Sequence, residues 1–249
     1  MIKNLSIIKW FEALLHFAFP IYCLGCGNGP NLLCEKCLET LPIHQHQACP
    51  LCYAFSSWGE VCDSCRKDKK FELLPWQLDG LFVLCPYQKL SLLQTIIEQM
   101  KYHHGYPLAE ILGKWMVNHS PTAWIQFLHQ EQFEVVAVPL HTLRYQKRGY
   151  NQAELLAREF TNITLLGSKK PLRRHRDTPP QAQLSREKRI QNVADAFSLV
   201  PEFPNPYFLN KKFILIDDVC STGATLNACA AALKSAGAAS VWGLVLARG

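Results

Sequence analysis

The chain has 249 residues, 49% of them hydrophobic and 18% charged, with a formal net charge of +6 at pH 7. This is enough apolar material for a packed core, in one large domain or in a medium domain with a small module. No apolar run reaches the roughly 18 residues of a membrane span, so a transmembrane anchor is excluded on length. The charge is concentrated. Residues 1–75 are neutral, whereas residues 141–190 carry 12 Lys and Arg against 4 Asp and Glu, a local +8 that suits a polyanionic partner.

In residues 1–19, Ile7, Trp10, Phe11, Leu14, Leu15 and Ala18 recur at helical spacing, which predicts an amphipathic helix. Glu12 and His16 interrupt the apolar stretch and no small-x-small cleavage site follows, which argues against a secretory signal. A lipoprotein box ending at Cys26 fails as well, because Cys23 and Leu24 stand where it wants apolar and small residues. A packing helix is the plain reading, and peripheral contact with a membrane surface is the other.

Residues 20–75 hold eight cysteines in four CxxC pairs: Cys23/Cys26, Cys34/Cys37, Cys49/Cys52 and Cys62/Cys65. Each CxxC turn aims two thiolates at one centre, and a second turn completes a tetrahedron, so eight ligands fit two Zn²⁺ ions in a reducing compartment. Sequential pairing is simplest, and interleaving stays open at this point. Four thiolates leave no open coordination position, which implies structural zinc. Cys85, Cys220 and Cys229 lie outside the pattern and read as buried thiols.

From residue 76 to 249 the pattern becomes α/β. Strands are expected at 79–87, 135–140, 213–219 and 241–247, and helices at 90–103, 106–119, 151–161 and 225–236. A basic-aromatic loop is expected at 141–150, and 163–212 is basic and proline-rich. Alternation of strands and helices implies a mostly parallel sheet covered on both faces.

The stretch ILIDDVCSTGATLNA, 214–228, is the most informative. An apolar strand ends on Asp217 and Asp218. A short loop then leads into a helix, with backbone N–H groups and the hydroxyls of Ser221, Thr222 and Thr225 around Gly223 and Ala224. Such a loop suits a dianionic phosphate at the carboxyl end of a parallel strand. The lysine of a Walker loop is absent, and there is no GxGxxG. Two adjacent carboxylates beside a phosphate site suit the 2′- and 3′-hydroxyls of a ribose.

This stretch resembles the phosphoribosyl pyrophosphate (PRPP) motif of type I phosphoribosyltransferases, with Cys220 where many members carry an aliphatic residue. The order of cysteine knuckles, Lys101–Tyr102, VP…RGYNQ at 138–152, R-x-T at Arg176–Thr178 with Gln181, the R-x-x-N-V-x-x-A-F run ending at Phe197, and DD…TGAT resembles the ComF family of competence proteins over nearly the whole chain. The resemblance implies a type I phosphoribosyltransferase-like α/β fold behind a double zinc-ribbon module. Asp217 and Asp218 would hold ribose, and Ser221, Thr222, Gly223, Ala224 and Thr225 the 5′-phosphate. Arg144, Arg148, Gly149 and Asn151 lie where related enzymes meet pyrophosphate, with Mg²⁺ accompanying PRPP.

It also implies a cytoplasmic protein at or near the inner face of the membrane. Such a protein handles incoming single-stranded DNA in natural transformation, with helicase and DNA-processing partners. The interleaved cations and rings of Arg144, Tyr145, Lys147, Arg148 and Tyr150, extended by Arg173, Arg174, His175 and Arg176, suit phosphates and stacked bases. The alternative is an active phosphoribosyltransferase for an acceptor that the sequence does not name.

Overall fold

The computed structural model describes residues 21–68, 76–103, 105–177 and 195–249. The expected N-terminal helix, most of the linker before residue 76, and the run from Thr178 through Ala194, with Gln181, lie outside the described residues.

The front module is built from short elements: α1 (Glu35–Glu39), β1 (Gln47–Ala48), β2 (Phe55–Ser56) and α2 (Asp63–Arg66). Behind it lies a five-stranded sheet in the order β3 (Gly80–Pro86), β9 (Ser240–Arg248), β8 (Lys212–Cys220), β4 (Phe133–Ala137) and β5 (Ser168–Lys169), all neighbours parallel. Between β3 and β4 come α3 (Leu92–Tyr102), α4 (Gly105–Asn118) and α5 (Thr122–Gln130). Between β4 and β5 come α6 (Thr142–Arg148) and α7 (Gln152–Thr164). An antiparallel pair, β6 (Leu172–Arg174) with β7 (Phe197–Leu199), precedes β8, and α8 (Ala224–Ser235) joins β8 to β9.

The two-residue alternation of a strand gives β8 two apolar faces. Ile214 and Ile216 enter a core with Ile96, Ile97 and Met100 of α3 and Leu156 and Phe160 of α7. Phe213 and Leu215 enter a second core with Leu226, Ala230 and Leu233 of α8. The expectation of an α/β sheet with helices on both faces is met.

Several local expectations need correction. The segment expected as a basic-aromatic loop is largely helix α6, whose seven residues include no buried one and so leave no apolar stripe in the sequence. The His141 side chain accepts from the Leu143 N–H at its start, and Gly149, at φ +82°, stops it. Helix α5 was not anticipated; its buried stripe is only Trp124 and Leu128. The strand expected at 135–140 runs over Phe133–Ala137 instead, and Val138 hydrogen-bonds onward to the Ile216 carbonyl.

The cysteine module covers the outer edge of β3. The His44 N–H donates to the Leu84 carbonyl (2.8 Å), the Leu81 N–H to the Gly59 carbonyl (2.9 Å), and the Val61 N–H to the Asp79 carbonyl (2.9 Å). Between them the Gln47 amide donates to the Val83 carbonyl and accepts from the Val83 N–H, both at 2.9 Å. An exposed strand edge would otherwise invite pairing with another chain.

Candidate functional site

The alternation that divides the core also divides the paired acids. Asp218 follows Ile216 towards the α3 face, and Asp217 follows Leu215 towards the α8 face. Asp218 is 4% exposed. Its Oδ2 lies 2.7 Å from the Lys101 ammonium, near the C-terminus of α3. Burial alone would raise the Asp218 pKa; the Lys101 charge and hydrogen bond override it and hold the group below its ordinary value. Loss of water, then the Asp218 charge beside it, push Asp217 well above the carboxylate range. Of the two, Asp218 is therefore the more readily ionised, and it is the one that faces Lys101.

These groups line a cleft of about 260 Å³ at the carboxyl end of the sheet. Arg144 and Arg148 of α6, Arg174 of β6, Asn151, Gln152 and Thr225 complete its polar wall. Arg144 Nε is 3.3 Å from Asp177, and Arg148 donates to Gln152. Burial, then the Arg144 charge, lower the Arg174 pKa. The arrangement offers acceptors at one end and fixed cations at the other, which is what a phosphorylated polyol requires. Gly223, at φ +79°, opens α8, and Thr222 Oγ1 accepts from the Ala224 N–H at 3.4 Å.

The residues singled out from sequence separate into groups. Asp217, Asp218, Thr225, Arg144 and Arg148 meet in the cleft, whereas Tyr145, Lys147, Tyr150 and Arg176 are not among its lining residues. Tyr150 is half-buried, and its hydroxyl donates to the Met100 carbonyl at 2.6 Å, one residue before Lys101. Asn151 is 3% exposed and holds the scaffold. Its Nδ2 donates to the Val138 carbonyl (2.9 Å) and its Oδ1 caps α7 at Ala153 N–H (3.1 Å). Sequence reasoning gave Lys101 no role beyond a helix end and treated Arg174 only as part of a surface patch. The signal available for Lys101 was a lone cation closing an apolar helical stripe.

The cation–ring arrangement is real but differently composed. Arg148 lies over Tyr102 (5.3 Å to the centroid), Arg158 over Tyr106 (5.7 Å), and Tyr106 is 5.8 Å from Tyr150. Tyr102 and Tyr106 are exposed, from α3 and α4.

The cysteines gather sequentially, as Cys23, Cys26, Cys34 and Cys37, and as Cys49, Cys52, Cys62 and Cys65, with the sulfurs of each group within 4.8 Å of one another. Tetrahedral zinc with Zn–S near 2.3 Å separates its sulfurs by about 3.8 Å. Cys26 and Cys34 are 3.8 Å apart and Cys52 and Cys62 3.6 Å, so both clusters fit structural zinc. Burial would push the Cys23 thiol up, but N–H groups of Cys26, Cys34 and Gly25 outweigh it and hold it at about 6. The Ser64 hydroxyl, then the Cys65 N–H, bring Cys62 down to about 6. Cys85, Cys220 and Cys229 are buried and free. Among the described residues no helix is long and apolar enough to cross a membrane.

Residues 135–249 match the family model described as phosphoribosyl transferase domain. Along its length the chain is 28% identical to competence protein F of Haemophilus influenzae, over 91% of this chain and 96% of that one. It is 27% identical to DNA utilization protein YhgH of Escherichia coli O157:H7, over 92% and 89%. To competence protein ComFC of Streptococcus pneumoniae it is 23% identical, over 86% of each. With two four-cysteine clusters ahead of a parallel sheet that carries the phosphoribosyl transferase domain match, the chain is a homologue of competence protein F, ComFC and YhgH.

Proposed function

We propose that this protein handles single-stranded DNA during DNA uptake or utilization, and that its cleft takes PRPP or a related phosphosugar with Mg²⁺. The observation that carries the reading is the adjacency of two features. A cleft with paired acids and fixed arginines shares Arg148 with an exposed cation–ring surface formed with Tyr102, and Tyr106 and Arg158 extend that surface. Arginines meet phosphates, and exposed rings stack on bases for about 1–3 kcal/mol each. The names of the relatives support the process. The cysteine clusters would hold two structural Zn²⁺ ions, and DNA-uptake helicases or DNA-processing proteins are the partners that this role implies, in the cytoplasm at the inner face of the membrane.

The test is fluorescence anisotropy with a labelled single strand at rising salt. Affinity should fall with a log–log slope of about −0.7 per phosphate contact, and Arg148→Ala or Arg158→Ala should each flatten the slope by roughly one contact. Binding indifferent to salt would refute the reading. Phosphoribosyl transfer is favoured by one further observation: both acids line the cleft, and Asp218 is held 2.7 Å from the Lys101 ammonium. Release of pyrophosphate from PRPP with an acceptor, abolished in the Asp217→Asn/Asp218→Asn chain, is the measurement for it.

A further inference from the structure

We propose that Trp76 is a positioning residue for the 221–225 loop, and that the second cysteine cluster, not the first, holds it in place. The proposal rests on the reading of that loop as a phosphate site. Three contacts carry it. The far edge of the Trp76 ring is so close to Gly223 that a Cβ there would sit 2.4 Å from it, with the next ring carbon at 2.9 Å. Trp76 also packs on the small core formed by Cys49, Val61 and Cys65, two of them metal-cluster cysteines. The following residue fixes the register, since the Gln77 N–H donates to Asn227 Oδ1 in the first turn of α8 at 2.6 Å.

A second tie runs in parallel. Arg248, paired in register with Cys220, donates to the Pro50 carbonyl at 2.6 Å, inside the Cys49–Cys52 knuckle. The Gly249 N–H donates to the Cys220 carbonyl, the residue before the loop, at 3.2 Å. Both ends of the loop are thus braced by groups that the second cluster orders. The first cluster has a different neighbourhood. Cys23 and Leu33 join the core on the α3 face, and Gly25 packs against Cys37 and Leu92. A metal ion at Cys49, Cys52, Cys62 and Cys65 would fix the wall against which Trp76 leans, because a four-thiolate tetrahedron rigidifies a segment with little core of its own.

The experiment uses the full chain purified with zinc. Ribose 5-phosphate is titrated by calorimetry, and hydrogen exchange of the 221–226 amides is read alongside. Trp76→Ala should weaken ribose 5-phosphate by about tenfold and raise exchange of those amides by a similar factor, while two zinc ions per chain are retained. Trp76→Phe, which keeps a ring against Gly223, should stay within about threefold of the parent. Cys62→Ser should reproduce the Trp76→Ala exchange pattern, and Cys26→Ser should leave the loop protected. Unchanged exchange in Trp76→Ala, or equal loosening by Cys26→Ser, overturns the proposal. Failure of the parent chain to bind ribose 5-phosphate would overturn the phosphate-site reading, and the exchange data would still decide the bracing role of Trp76.

Discussion

Replacing each acid of the pair by its amide separates the two carboxylates. Asp218→Asn removes the partner of Lys101 and leaves an ammonium whose side chain is 25% exposed facing a neutral group. Removing one member of a buried pair costs about 3–5 kcal/mol. Because the lysine keeps some water, the lower end applies, about 3 kcal/mol, or a fall in Tm of about 6–12 °C at this chain length. Burial, then the Asp218 charge, disfavour the ionised form of Asp217 in the folded chain, so above pH 3.8 Asp217→Asn should raise stability, in contrast to the loss in Asp218→Asn. The signs with pH are opposite. Asp218 sits below its ordinary value of 3.8, so its contribution is present above that value and is lost as pH falls through the depressed folded pKa. Asp217 sits above 3.8, so the parent chain loses stability relative to Asp217→Asn as pH rises from 3.8 to the folded pKa. Urea unfolding of both variants at about pH 7, with Lys101→Met/Asp218→Asn closing the double-mutant cycle, measures this. An Asp217→Asn penalty equal to or larger than that of Asp218→Asn would refute the assignment of charge within the pair.

Two further substitutions test the scaffold that aims the site. Asn151→Ala loses the α7 cap, worth about 1 kcal/mol, and strands the Val138 carbonyl for about 1–3 more, so urea unfolding should show a total loss of about 2–4 kcal/mol. Gly59→Ala asks for a Cβ 2.1 Å from the Leu81 carbonyl oxygen at φ +87°, where the cysteine module meets β3; a loss of about 2–4 kcal/mol and new self-association by light scattering are expected.

The legible parts of the site share a physical cause. FILI followed by two acids is a strand with a period of two, so the divergence of Asp217 and Asp218 was implicit in the same letters that announced the strand. The CxxC pairs were legible because tetrahedral coordination dictates local spacing, and the sequential grouping follows from the chain turning back on itself within each pair. Lys101 was not legible as a counter-ion, since only the packing of α3 on β8 brings a helix end to a strand end. Helix α6 was hidden because none of its seven residues is buried. Tyr150 and Asn151 looked like ligands in a basic-aromatic run, yet their polar atoms are used by Met100 and Val138. A polar residue in a motif can hold the frame as readily as the substrate, and sequence alone does not tell which.

The covering of β3 shows why the cysteine module and the sheet are mechanically one piece. A parallel sheet gains nothing from leaving an edge open, yet among the described residues no sixth strand pairs there. The module instead supplies single backbone groups from His44, Gly59 and Val61, and the side chain of Gln47, to Leu84, Leu81 and Val83 of β3 and to Asp79 just before it. None of these groups belongs to a long element, so their positions depend on what orders the loops carrying them. Cys49 follows Gln47 by two residues, and Cys62 follows Val61 directly. Thiolates drawn to one centre would therefore fix the edge-covering groups at the same time. Cluster assembly, edge protection and the bracing of the 221–225 loop by Trp76 then become consequences of a single ordering step.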